Sequence, residues 1–130
     1  MIVDTTFVID ILENNQDALN KSHELLQRGE TQLVSSITIF ELYSGIARST
    51  KPEQEKLKVI QGLANQIILP FTEKDSEKGG KIHGDLYKKG NVIGSHDCMI
   101  AGIALTKGEK ILTRNVKHFS RIEGLDVETY

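Results

Sequence analysis

The sequence predicts an α/β fold, an open parallel sheet of about five strands with helices on both faces, on the strength of three observations. Short β-like runs recur at residues 2–3, 32–35, 66–69, 110–112 and, more faintly, 126–128. Apolar residues at helical spacing fill the long intervals between the first four runs. At 130 residues, 38% hydrophobic and 26% charged, the chain can bury one core but not two, so residues 1–130 are expected to form one domain. Strands alternating with helices pair in parallel through right-handed crossovers, and ligands of such sheets bind outside the carboxyl ends of the strands.

Taken in order, the first strand, Ile2-Val3, stops at Asp4, a good helix cap, and Phe7, Ile11 and Leu12 continue as a helix. Ala18, Ser22, Leu25 and Leu26 outline a second helix. After the strand at 32–35, Thr38 and Glu41 fit capping-box spacing, so Glu41 is expected to open a helix carrying Phe40, Ser44 and Ala47. Leu57, Ile60 and Ala64 mark the next helix. Residues 74–89 follow the third strand and alternate Lys78, Lys81, Lys88 and Lys89 with Glu77 and Asp85, the pattern of an exposed helix, kinked at Gly79-Gly80. Ile100, Ile103 and Ala104 define the last long helix, with Asp97 in its first turn. Pro52 and Pro70 are the only prolines, and no linker or repeat divides the chain.

The early apolar run at residues 1–3 ends at Asp4 and charges recur throughout, which argues against a signal peptide or membrane span and for the cytoplasm. Cys98 is the only cysteine, so an internal disulfide and a thiolate zinc cage are excluded, and any metal would take oxygen ligands. Residues 107–121 hold Lys107, Lys110, Arg114, Lys117 and Arg121 against Glu109 alone, a basic patch in a chain of net charge −2. It suits a phosphate-bearing partner, or is simply a solvated face. With three tyrosines, four phenylalanines and no tryptophan, the chain is too poor in aromatics for a general single-strand stacking platform, so recognition is expected to rest on phosphates and shape. The histidines lack paired ligand spacing; His96 and His118 are kept as possible substrate contacts.

Four polar residues belong at one sheet edge: Asp4 after the first strand, Glu41 after the second, Asp97 at a helix start, and Asn115 after the fourth strand. Each acid has an ordinary use as a cap or as a partner of a helix dipole. Three carboxylates gathered at one edge nevertheless repel one another and resist desolvation unless a cation neutralises them. Carboxylates, an amide and water are the hard donors that suit Mg²⁺ or Mn²⁺.

The stretches Ile2-Val3-Asp4-Thr5, Ile39-Phe40-Glu41-Leu42-Tyr43-Ser44-Gly45, Ile93-Gly94-Ser95-His96-Asp97-Cys98-Met99-Ile100-Ala101 and Leu112-Thr113-Arg114-Asn115 carry a resemblance. As an ordered set they resemble the PIN-domain nucleases, in particular the VapC-type toxins of type II toxin–antitoxin pairs. The resemblance implies a PIN-like sheet, metal binding by Asp4, Glu41 and Asp97, and a catalytic set completed by Asn115 at the fourth polar position. It also implies Mg²⁺-dependent cleavage of RNA, homodimerisation, and neutralisation by a VapB-type antitoxin. Relatives often carry an acid at or just after the fourth position, where this chain has Asn115 and then His118. A second metal would then be held weakly, and whether Asn115 or His118 takes the fourth role stays open.

A metal on Asp4 and Asp97 would hold a phosphate oxygen and acidify a water that attacks in line, with Glu41 as ligand or water-orienting base. Arg114 suggests a bidentate phosphate clamp, Lys117 and Arg121 further phosphate contacts, and Thr5 a hydroxyl that binds phosphate or caps. The rival reading is a catalytically silent module of the same fold that binds RNA or protein. A phosphoacceptor domain is disfavoured, because Thr5-Thr6 follows Asp4 where a phosphatase would place a second aspartate, and no glycine-rich phosphate loop occurs.

Overall fold

The computed structural model describes residues 1–130. Strand β1 (Ile2–Val3) lies between β2 (Leu33–Ser35) and β4 (Ile111–Leu112); β3 (Ile67–Leu69) is outside β2 and β5 (Val127–Glu128) outside β4. All pairings are parallel, with Ile2 opposite Leu33 and Ile111, and the order is β3-β2-β1-β4-β5.

The strands are short because two or three residues suffice to cross the core, and their period of two sorts that core into two layers. Ile2 and Ile111 face α5 (Glu73–Lys88), α6 (Ser95–Lys107) and α7 (Val116–Phe119). Val3, Val34 and Leu112 face α1 (Thr5–Leu12), α2 (Gln16–Gln27), α3 (Ser36–Arg48) and α4 (Pro52–Leu63). Helix α6 is the most enclosed, with Cys98, Ile100, Ala101, Ile103 and Ala104 all buried.

Three local expectations need correcting. Helix α3 begins at Ser36, capped by Ser35, whose hydroxyl accepts from the Thr38 amide at 3.2 Å. Thr38 is therefore buried inside the first turn, and Glu41 lies one turn further in rather than in a capping box. The capping box occurs instead at α5, between Thr72 and Asp75.

Helix α5 also runs unbroken through Gly79-Gly80. Gly79 is buried against α6, and a Cβ there would stand 2.9 Å from the Cys98 carbonyl oxygen. On the facing helix, a Cβ on Gly102 would meet the Asp75 carbonyl oxygen at 2.6 Å. These glycines let two backbones touch; they do not kink the helix.

Finally, the spacing that identified α3 and α4 picked out their outer faces. Phe40, Leu57 and Ile60 are exposed, while Leu42 and Val59 enter the core. Periodicity establishes a helix but does not choose between two apolar stripes.

Candidate active site

The chain leaves β1 toward β2 and β3, then returns to the other side of β1 as β4 and β5. This reversal opens a crevice beyond the carboxyl ends of β1 and β4, the place where such sheets bind ligands. Asp4 follows β1 and Thr113, Arg114 and Asn115 follow β4, so the switch point itself is lined with polar side chains.

Asp4 is 3% exposed. Its Oδ1 accepts from the Phe7 amide at 3.2 Å and the Thr6 hydroxyl at 2.7 Å, and its Oδ2 accepts from the Thr113 hydroxyl at 2.6 Å. The residue is thus the N-cap of α1 and a strand-end carboxylate at once. Burial pushes its pKa above the ordinary aspartate value; the three donors oppose the rise, and the negative charge of Asp97 adds to it.

Asp97 is in the first turn of α6, whose cap, Gly94, offers no side chain, so the carboxylate faces the helix dipole. Its Oδ2 is 3.2 Å from His118 Nδ1, and the Asn115 side-chain nitrogen is 3.3 Å from the same ring atom. The Asn115 amide also donates to the Thr113 hydroxyl at 2.8 Å, which in turn donates to Asp4. Asn115 and His118 thus stand side by side, and of the two it is His118 that touches an acid. Beside Asp97, burial and then the neighbouring charge push the Cys98 thiol up to about 11, which leaves it no role as a nucleophile.

Glu41 is near this pair but not part of it. Its Oε1 accepts from the Thr5 hydroxyl at 2.7 Å and its Oε2 is 3.6 Å from His96 Nδ1. No three His, Cys, Asp or Glu side chains stand close enough together to share one ion. Asp4, Glu41 and Asp97 thus do not form one three-residue cluster in this structure; Glu41 neighbours the two aspartates through Thr5, which follows Asp4, and His96, which precedes Asp97. Its place in the second turn of α3 accounts for the offset.

Arg114, the expected phosphate clamp, is engaged within the chain through one nitrogen. Arg114 Nη2 is 2.7 Å from Asp10 Oδ2, and its guanidinium lies over the Tyr130 ring at 5.3 Å. Tyr130 donates to the same Asp10 oxygen at 2.5 Å and packs edge to face on Phe7. Arg114 therefore ties the loop after β4 to α1 through a carboxylate and an aromatic face, while its side chain stays half exposed. Thr5 is engaged by Glu41 and by the Thr38 hydroxyl at 3.0 Å. Lys117 is exposed on α7, and Arg121 donates to the Val92 carbonyl at 3.0 Å. Sequence reasoning missed Thr113, fully buried between strand and loop; its only signal was a hydroxyl residue next to Asn115.

Comparison with known proteins adds to this geometry. The PIN domain family matches residues 1–125. Ribonuclease VapC2 of Rickettsia felis is 31% identical over 129 residues, covering 99% of this chain and 96% of that protein. The tRNA(fMet)-specific endonuclease VapC of Salmonella typhimurium is 30% identical over 130 residues, covering 99% and 96%. Among solved structures, VapBC2 from Rickettsia felis bound to a promoter DNA fragment superposes with a TM-score of 0.89 at 30% identity, covering 99% of this chain and 97% of the other. DNA-bound VapBC from Salmonella typhimurium gives 0.87 at 29%, covering 98% and 96%. With fold, motif order and near-complete coverage in agreement, the chain belongs to the PIN-domain family, in its VapC branch.

Proposed function

We propose that this chain is a metal-dependent endoribonuclease that hydrolyses RNA phosphodiester bonds, acting in the cytoplasm as the toxin of a toxin–antitoxin pair. The observation that supports the reading is the run of contacts at the topological switch point from the buried Asp4 through Thr113, Asn115 and His118 to Asp97. Relatives named ribonuclease and endonuclease support the reaction, and solved VapBC assemblies support a VapB-type antitoxin as partner.

The donor set fits a hard divalent cation. Two carboxylates in mutual repulsion, without thiolate ligands, suit Mg²⁺ or Mn²⁺, and Mg²⁺ commonly binds through one or two carboxylates plus water and substrate phosphate. Asp4 and Asp97 would hold it; when bound, it supplies Lewis-acid stabilisation of phosphate charge and an acidified attacking water. The remaining work belongs to the chain. Thr6, Thr113 and the Phe7 amide fix the Asp4 carboxylate before substrate arrives. His118 Nδ1, 3.2 Å from Asp97 Oδ2, orients Asp97. Glu41, held on one oxygen by Thr5, serves better as a water-orienting base than as a direct ligand. Lys117 and Arg121 contact phosphates of the bound RNA. The exposed Leu57, Ile60, Ile67 and Ile68 support a homodimer.

The test is cleavage of RNA by the purified chain in Mg²⁺ or Mn²⁺ that stops in EDTA, together with growth arrest on expression, relieved by a coexpressed antitoxin. Cleavage that persists in EDTA contradicts the metal mechanism. RNA binding without any cleavage would instead identify a silent module.

A further inference from the structure

The few aromatic residues of this chain are unevenly placed. Phe7 and Phe119 are core residues at 1% and 0% exposure, whereas Phe40 leaves 60% of its surface open. Phe40 immediately precedes Glu41, and its ring meets that of His96 edge to face, with centroids 5.5 Å apart and planes at 73°. His96 immediately precedes Asp97 and turns Nδ1 toward Glu41. An open phenyl ring and an imidazole therefore stand on the lip of the candidate site, each one residue from an acid. Both line a cleft of about 510 Å³ that also reaches Thr5 and Glu41.

Single exposed apolar residues need no explanation, but an exposed aromatic pair beside Glu41 and one residue from Asp97 does. We propose that Phe40 and His96 form a stacking subsite for one unpaired nucleobase of the RNA, next to the phosphate addressed by Asp4 and Asp97; the inference rests on the ribonuclease reading. With 60% of its surface open, the Phe40 ring keeps room for a planar base to lie on it beside the imidazole. With Nδ1 turned to Glu41, His96 keeps Nε2 for the polar edge of that base. Stacking is available only to a base out of its helix, so the subsite selects loops and single strands over duplex RNA. It is tolerant of base identity, because every base has a π-face.

The chain has no tryptophan, so Phe40→Trp introduces a single indole at the proposed subsite. Titrated in EDTA with a single-stranded RNA oligonucleotide, the indole emission is expected to be quenched, and to change far less with the same sequence as a duplex. Phe40→Leu, which keeps an apolar side chain but removes the ring, is expected to weaken binding of that oligonucleotide roughly tenfold or more. Phe40→Tyr should retain the affinity. An indole that does not respond at saturating RNA, or equal RNA affinity of wild type and Phe40→Leu, overturns the inference and gives the face to a protein segment. Binding is read without metal, so the two readings fail separately. Quenching without any metal-dependent cleavage would sink the ribonuclease and spare the subsite, while undiminished cleavage and affinity in Phe40→Leu would do the reverse.

Discussion

Asp4 illustrates how one carboxylate combines a structural and a chemical role. It satisfies the open amide of α1 and receives two hydroxyls, yet burial and Asp97 disfavour its charge. Asn is as good a cap as Asp, and the Thr113 hydroxyl can rotate to accept from the new amide. Asp4→Asn is therefore expected to unfold within about 1 kcal/mol of wild type while losing cleavage. Asp4→Ala removes the cap and strands buried donors, and should cost about 1–3 kcal/mol in denaturant unfolding. Equal stability of the two variants would show that the cap carries no weight. A second residue-scale expectation concerns Glu128, which pairs with Arg28 at 2.6 Å and Lys21 at 2.7 Å. The Arg28 hydrogen bond first, then that of Lys21, hold its pKa at about 2 against an ordinary 4.5. A carboxyl depressed by folding stabilises the fold above its unfolded pKa and loses that contribution as pH falls. The stability gap between wild type and Glu128→Gln should thus close between pH 4.5 and about 2. A gap independent of pH across that window would contradict the pairing.

At the scale of elements, the packing of α5 on α6 depends on Gly79 and Gly102 facing each other across the helices. A methyl at Gly102 would collide with backbone at 2.6 Å, and backbone cannot rotate away as a flexible side chain can. Gly102→Ala should therefore lower stability by about 1–3 kcal/mol despite raising helix propensity. Thermal melting that matches or exceeds wild type would refute the close approach. The strands were legible in the sequence because a buried two- or three-residue strand is an apolar run that ends in a polar residue, as Ile2-Val3 ends in Asp4. The choice of helix face was not legible: Phe40 and Leu42 are both apolar, and only the tertiary position of α3 decides which is inside. Gly79-Gly80 misled for a similar reason, since a glycine pair signals a kink or a close approach with equal force until a partner helix is seen.

For the whole molecule, topology makes the site. Asp4, Glu41, Asp97 and Asn115 are dispersed in sequence, and the parallel order around β1 sets the ends of β1, β2 and β4, after which Asp4, α3 with Glu41, and Asn115 follow, side by side. The order of strands and helices was legible from their alternation in the sequence. The finer arrangement was not, because it depends on long-range pairings such as Tyr130 with Asp10 and on the helix phase that offsets Glu41 from the acidic pair. The basic patch belongs to this scale as well. Reversing Lys117 and Arg121 to Glu should weaken single-stranded RNA binding and reduce the slope of log affinity against log salt by about 0.7 for each phosphate no longer neutralised. An unchanged slope would remove those two residues from the RNA path.

The most direct measurement is a calorimetric titration of Mn²⁺ into the purified chain and into Asp97→Asn, with thermal melting of both. Wild type should bind the ion, and the variant should lose that binding with its fold intact, since replacing one carboxylate relieves the repulsion on Asp4. Equal Mn²⁺ affinity in the two proteins would contradict the claim that Asp4 and Asp97 together form the metal site.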